Sequence, residues 1–276
     1  IVIARDLSPS ETAGMPRESV LGFATDQGSF TSHTAIMARA LEIPAVVALG
    51  DITRRVNDGD QVLIDGNKGI LIVRPAPSRL HEYGQTLKSR QHIQADLERL
   101  RDLPAQTPDG HKIGIGANIE LLSELPDIAR YGAQGVGLYR TEFLYLARQA
   151  LPSEDEQVEA YTAVARTVAP HRVIIRTLDM GGDKLPVPGA AAKERNPFLG
   201  FRAIRFCLAN PDIFKTQLRA ILRASASGNV AVLYPMVSCL EEVEEASSLL
   251  ADAKSDLRKL NQKFNENIPV GVMIEI

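Results

Sequence analysis

Cysteine is scarce in this chain: only Cys207 and Cys239 occur among 276 residues, with neither CxxC nor zinc-ligand spacing. That excludes a disulfide framework and a cysteine-based zinc site, and both are read as reduced, buried thiols. Long apolar runs are also missing. No stretch approaches the roughly 18 residues of a spanning helix, and no charged head precedes an apolar signal core at the N-terminus. Dense Lys/Arg runs are absent and the formal net charge is −3, which argues against a nucleic-acid surface or a basic membrane anchor. A cytoplasmic location is expected. There is no initiating methionine, and Ile1 falls inside a strand-like run, so a piece of a longer protein is expected.

What is present has the balance of a globular chain, at 45% hydrophobic and 24% charged, with length for two domains. The most informative stretch is Gly28-Ser29-Phe30-Thr31-Ser32-His33-Thr34-Ala35-Ile36-Met37-Ala38-Arg39. Ser32 is an N-cap candidate, good helix formers follow through Ala40, Ile36, Ala40 and Ile43 share a face, and Pro44 ends the segment. His33 thus stands at the start of a short helix. Its first backbone N–H groups lack helical partners and its dipole favours anions, so a phosphoryl group carried on His33 would meet both.

Short β signals fill the sequence to about residue 75: 1–4, 20–24, 45–49, then 62–65 and 70–73 flanking Gly66-Asn67-Lys68-Gly69, which read as a hairpin. Pro75 and Pro77 mark a boundary. Leu80, Tyr83, Leu87, Ile93, Leu97 and Leu100 then recur at helical spacing, predicting a linking helix whose stripe packs on a neighbouring domain or subunit. Beyond Lys112, strands at 112–117, 135–139, 172–177, 230–234 and 270–274 alternate with helical stretches, which implies βα units and a parallel sheet. Asn118, Arg140, Arg176 and Glu275 each fall at the carboxyl end of one of these strands, where a (β/α)8 barrel builds its active site. Five strands against eight make that barrel incomplete.

The segment around His33 resembles the phosphorylation-site motif of the phosphoenolpyruvate-utilising enzymes, and looks most like enzyme I of the bacterial sugar phosphotransferase system. The likeness continues through Gly135-Val-Gly-Leu-Tyr-Arg140-Thr-Glu-Phe143, Arg176-Thr-Leu-Asp-Met-Gly-Gly-Asp-Lys184, Asn196-Pro-Phe-Leu-Gly-Phe-Arg202 and Val272-Met-Ile-Glu275. Ser29, where the family usually has a second glycine, and the large Phe30 depart from the pattern. The resemblance implies an α/β chain of three parts: a small swivelling phosphohistidine domain (1–75), a helical linker (76–104) and the front of a phosphoenolpyruvate-binding TIM barrel (105–276).

It also implies a reaction. His33 would take the phosphoryl group from phosphoenolpyruvate, release pyruvate, and pass phosphate to the carrier HPr, whose docking subdomain would lie outside this sequence. Arg140 and Arg176 would bind the substrate phosphate with Arg202 close by, since the guanidinium fork holds two oxygens and stays charged. Glu275 would ligate Mg²⁺, which takes oxygen ligands and needs a second protein ligand from a strand absent here. Thr12 would steady the imidazole, or serve as a cap or turn residue. The loop from Asp179 to Lys184 would close on the substrate or be a plain turn. Full-length family members pair through the barrel, so a homodimer is implied. An ATP-using phosphoenolpyruvate synthase or pyruvate phosphate dikinase, and a nitrogen-branch or non-catalytic binding paralogue, remain as alternatives.

Overall fold

The computed structural model describes residues 1–7, 20–29, 38, 43–146, 150–181 and 199–276. Contacts divide the chain into two units, Ile1–Leu100 and Arg101–Ile276.

In the first unit β1 (Val2–Ala4), β2 (Phe23–Thr25) and β3 (Ala45–Val46) form a parallel sheet in that order. A short helix, α1 (Ile52–Arg55), precedes the antiparallel hairpin β4 (Val62–Asp65) and β5 (Ile70–Val73). The hairpin loop is the expected Gly66–Gly69 segment. Asp65 Oδ1 accepts from the backbone N–H groups of Asn67 (3.1 Å) and Lys68 (3.2 Å), and Gly69 takes the left-handed φ of +66° that closes the loop. Leu7, Phe23, Ala38 and Ile43 make a small buried core. The Ile43 N–H donates to the Ala38 carbonyl at 2.9 Å. The remainder of the expected His33 helix lies outside the described residues.

The helix α2 runs from Pro77 to Leu100. Proline suits this first position, where no N–H is needed. The expected apolar stripe is only partly covered: Leu87, Ile93, Leu97 and Leu100 are each more than half exposed.

The second unit opens with β6 (Gly116–Ile119), not at Lys112 as expected. Lys112 and Ile113 are used differently. Gln106 and Lys112 form an antiparallel bridge, and the Ile113 N–H donates to the Ala105 carbonyl at 2.8 Å, closing a small turn over Thr107 and Gly110. Parallel pairing starts at Gly116, where a Cβ would stand 2.8 Å from the Gly137 nitrogen, so only glycine permits that approach. Asn118 therefore sits inside β6, at a bulge, and not beyond its end.

There follow α3 (Leu125–Arg130), β7 (Gly135–Tyr139), α4 (Glu142–Leu146), α5 (Glu154–Thr167), β8 (Val173–Arg176), α6 (Ala203–Ala209), α7 (Pro211–Ala224), β9 (Val230–Tyr234), α8 (Leu240–Lys259) and β10 (Val270–Val272). All five strands are parallel and lie in chain order from β6 to β10. The long helices start where their sequences dictate. Ser153 Oγ accepts from the Glu156 N–H (3.3 Å) while the Glu156 carboxylate accepts from the Ser153 N–H (2.8 Å), a reciprocal cap on α5. Helix α7 begins with Pro211 and turns Phe214, Leu218 and Ile221 inward.

Those side chains meet Tyr161 and Val164 from α5, Ala246 and Leu257 from α8, and the strand residues Val136, Val173, Ile175 and Val232, all buried. At about 1.5–3 kcal/mol for each large apolar side chain removed from water, this core dominates the stability of the unit. Two non-glycine residues adopt left-handed backbone at its edge, Ala203 (φ 53°) after Arg202 and Met236 (φ 58°) after β9.

One of the two cysteines differs from expectation. Cys207 is buried in α6, but Cys239 is exposed, because it occupies the N-cap of α8, where the chain enters the helix at the surface. Burial pushes the Cys207 thiol well above its usual range. A thiol reagent is expected to modify one cysteine per native chain rapidly, with Cys207 reacting only on unfolding; mass mapping of the labelled peptide checks this.

Candidate active site

The carboxyl ends of the parallel strands carry the site. Arg140 follows the last residue of β7, and its backbone N–H donates to the Ile119 carbonyl of β6 at 2.9 Å, fixing it beside the neighbouring strand end. Its guanidinium pairs with Glu120, both partly exposed. Arg176 is the last residue of β8 and far less accessible, its side chain 11% exposed. Nη2 donates to Glu142 Oε1 at 3.0 Å, and Nη1 lies 3.0 Å from Asp179 Oδ2. Asp179 Oδ1 in turn accepts from Arg202 Nε (3.0 Å) and Nη2 (2.7 Å).

The result is a ladder of alternating sign, Glu142, Arg176, Asp179, Arg202, with no net charge. The Asp179 backbone joins it, its N–H donating to Glu142 Oε1 at 3.1 Å and its carbonyl accepting from Arg202 Nη2 at 3.2 Å. Charges this poorly hydrated persist only because each is paired and hydrogen-bonded. One donor is left over. Arg176 Nε is buried and has no hydrogen-bond partner among the described residues. A buried N–H without a partner is costly, and an anionic oxygen would satisfy it.

Burial raises the Glu142 carboxyl above its ordinary value of 4.5, outweighing the opposing pull of Arg176. The sign for stability follows. Between 4.5 and its higher folded value, the folded chain binds a proton at Glu142 that the unfolded chain does not. This contribution is full below 4.5 and is lost as pH rises through the folded value. Glu142→Gln is expected to remove this component, leaving stability less dependent on pH across the window; urea unfolding of both proteins at a series of pH values measures it.

Glu275 lies three residues past the end of β10, the Met273 N–H having extended the ladder to the Tyr234 carbonyl at 2.9 Å. Its Oε1 accepts from the Met236 N–H at 2.8 Å, so the carboxylate ties the end of β9 to that of β10. As a Mg²⁺ ligand it offers one hard oxygen group. No cluster of three His, Cys, Asp or Glu side chains capable of holding a metal occurs among the described residues. His33 and Thr12 lie outside the described residues, as do Lys184 and Asn196.

The structure thus links Arg176 to Arg202 through one carboxylate and sets Arg140 on the adjacent strand end. Sequence reasoning passed over Glu120 and Glu142, and took Asp179 only as the start of a loop. The available signal was an acid two or three residues beyond a strand-end arginine, at Arg140/Glu142 and again at Arg176/Asp179.

Residues 94–276 match the family model described as "PEP-utilising enzyme, PEP-binding domain", and residues 1–69 match "PEP-utilising enzyme, mobile domain". The chain belongs to the phosphoenolpyruvate-utilising enzymes. Among curated relatives within that family, the phosphoenolpyruvate-protein phosphotransferase of Staphylococcus carnosus is 44% identical, over 100% of this chain and 48% of its own length. That of Haemophilus influenzae is 45% identical with the same coverages, 100% and 48%. The chain spans about half the length of these relatives. A solution structure of an enzyme I protein matches 33% of this chain and 37% of its own at 57% identity, with a TM-score of 0.31.

Proposed function

We propose that this chain is the part of a phosphoenolpyruvate-protein phosphotransferase that carries the phosphorylated histidine and the arginines of the substrate pocket. The observation that carries the reading is the ladder at the end of β8, with its leftover N–H at Arg176. Phosphoenolpyruvate brings a phosphate and a carboxylate, and paired guanidinium groups aimed at the transferring group stabilise its charge. Arg176 and Arg140 bind the phosphate and Arg202 supports them. A His33 ring nitrogen attacks phosphorus, the bond from phosphorus to the enol oxygen breaks, and the enolate takes a proton to give pyruvate. Phosphohistidine then passes its phosphoryl group to HPr.

Five parallel strands in chain order, with helices between them, are what the first part of a (β/α)8 barrel requires. We read residues 1–75 as a swivelling domain, 76–104 as linker and 105–276 as the start of that barrel, in a cytoplasmic enzyme that pairs through the barrel. Thr12 steadies the histidine ring. Glu275 contributes one ligand to a Mg²⁺ site, and none of the steps above runs through the metal.

The test uses labelled phosphoenolpyruvate with Mg²⁺. The 276-residue chain is expected to show little or no label on His33, since half of its relatives' length lies outside it. In a protein of the relatives' full length, acid-labile label is expected on His33 and lost in His33→Ala. Label surviving that substitution would refute the assignment.

A further inference from the structure

Helix α7 carries one polar side chain into the core of the second unit. Gln217 is 1% exposed on the face that also buries Phe214, Leu218 and Ile221. An amide there is tolerated only when its donors and acceptor are used. Gln217 Oε1 accepts from the Leu178 N–H at 3.0 Å, and Nε2 donates to Thr141 Oγ1 at 3.1 Å and to the Tyr161 hydroxyl at 3.3 Å.

The proton directions are set by what those hydroxyls do next. Thr141 Oγ1, fully buried, donates its one proton to the Arg176 carbonyl at 3.1 Å. The Tyr161 hydroxyl donates to Gln157 Oε1 at 3.0 Å, which also accepts from the Tyr145 hydroxyl at 3.2 Å. Gln157 Nε2 closes the chain on the Pro152 carbonyl at 3.2 Å. Thr141 and Tyr161 therefore meet Gln217 with lone pairs, and an acceptor at that place would oppose both.

The network reaches the site at two backbone points, the carbonyl of Arg176 and the N–H two residues later. Thr141 directly follows Arg140, so one side chain of α7 is bonded to both arginine-bearing strand ends. We propose that Gln217, acting through Thr141, is a positioning residue that sets where the Arg176 guanidinium stands; its value for phosphoenolpyruvate rests on the functional reading above. A helix that only needed to pack on the sheet would fill the space with leucine. A fully satisfied buried network instead selects one arrangement of the groups it touches.

The test uses the 276-residue chain with Gln217→Glu, Thr141→Val and Thr141→Ser. Thr141→Val keeps the shape and removes the hydroxyl; Thr141→Ser keeps the hydroxyl. The Nε–H resonance of Arg176, assigned through Arg176→Lys, reports the guanidinium without any ligand. In Gln217→Glu and Thr141→Val this resonance is expected to shift and its hydrogen exchange to quicken about tenfold, the effect of one lost hydrogen bond. Arg223, paired with Glu154 and Asp155, should be unmoved. Thr141→Ser should restore the native signal.

In a protein of the relatives' full length, phosphoenolpyruvate affinity by calorimetry should fall about tenfold in Thr141→Val and recover in Thr141→Ser. A lower melting temperature with the Arg176 resonance unchanged overturns the inference, since the network is then only structural. If the resonance moves as expected and a protein of the relatives' full length binds no phosphoenolpyruvate, the coupling stands and the functional reading falls. Should Gln217→Glu fail to fold, Thr141→Val, which leaves the amide in place, decides the matter.

Discussion

Arg176→Ala is expected to abolish the phosphoenolpyruvate binding proposed above for the full-length protein and to lower the stability of the 276-residue chain by roughly 3–5 kcal/mol, the scale for removing one partner of a buried ion pair. Two losses coincide. The pocket forfeits its least exposed guanidinium, and Glu142 and Asp179, with side chains 16% and 10% exposed, are left facing each other without the cation between them. Arg176→Lys should recover only part of either effect. A single ammonium can meet one of the two carboxylates well, whereas the planar fork meets both. Calorimetric titration and urea unfolding separate the two effects. Undiminished affinity in Arg176→Ala would remove the substrate role.

Asp179→Ala should be comparably damaging by a different route, at about 3 kcal/mol. Here the shared anion goes, and two guanidinium groups confront each other across the space it filled. An added anion can take its place. Inorganic phosphate is therefore expected to raise the unfolding midpoint of Asp179→Ala by more than it raises that of the unaltered chain, through binding to the folded state alone. Thermal melts across a phosphate series provide the measurement, and equal increments in both proteins would count against a shared anion site.

The sequence was most readable where a local rule acted alone. Strands β7 and β9 and the loop between β4 and β5 stand where their apolar runs and turn residues put them. The start of β6 was not readable, because Lys112 and Ile113 have the composition of a strand but are drawn into an antiparallel turn by contacts with Gln106 and Ala105. Cys239 was misread for a similar reason: its residue type favours burial, and its place at a helix entrance does not.

Arg140 and Arg176 were legible from their recurrence at strand ends, Arg202 only from the family resemblance. Their acidic partners were harder to see, since which carboxylate meets which guanidinium depends on how neighbouring strands are aligned. Gln157 and Gln217 were invisible. In a periodicity reading a glutamine counts as surface, and only the packed helices reveal that these two amides are interior. His33, the most specific residue in the sequence, and Thr12 lie outside the described residues, so the sequence alone speaks for them.

The backbone corners at Ala203 and Met236 narrow what this region can become. A left-handed backbone crowds the β carbon, and branching there is the worst case. Valine, isoleucine or threonine at Ala203 would push the chain out of the corner that delivers Arg202, and at Met236 out of the one whose N–H meets Glu275. Both positions are also buried, which opposes the polar asparagine and aspartate that such a backbone otherwise admits, so variation across homologous chains should turn first to glycine at both corners.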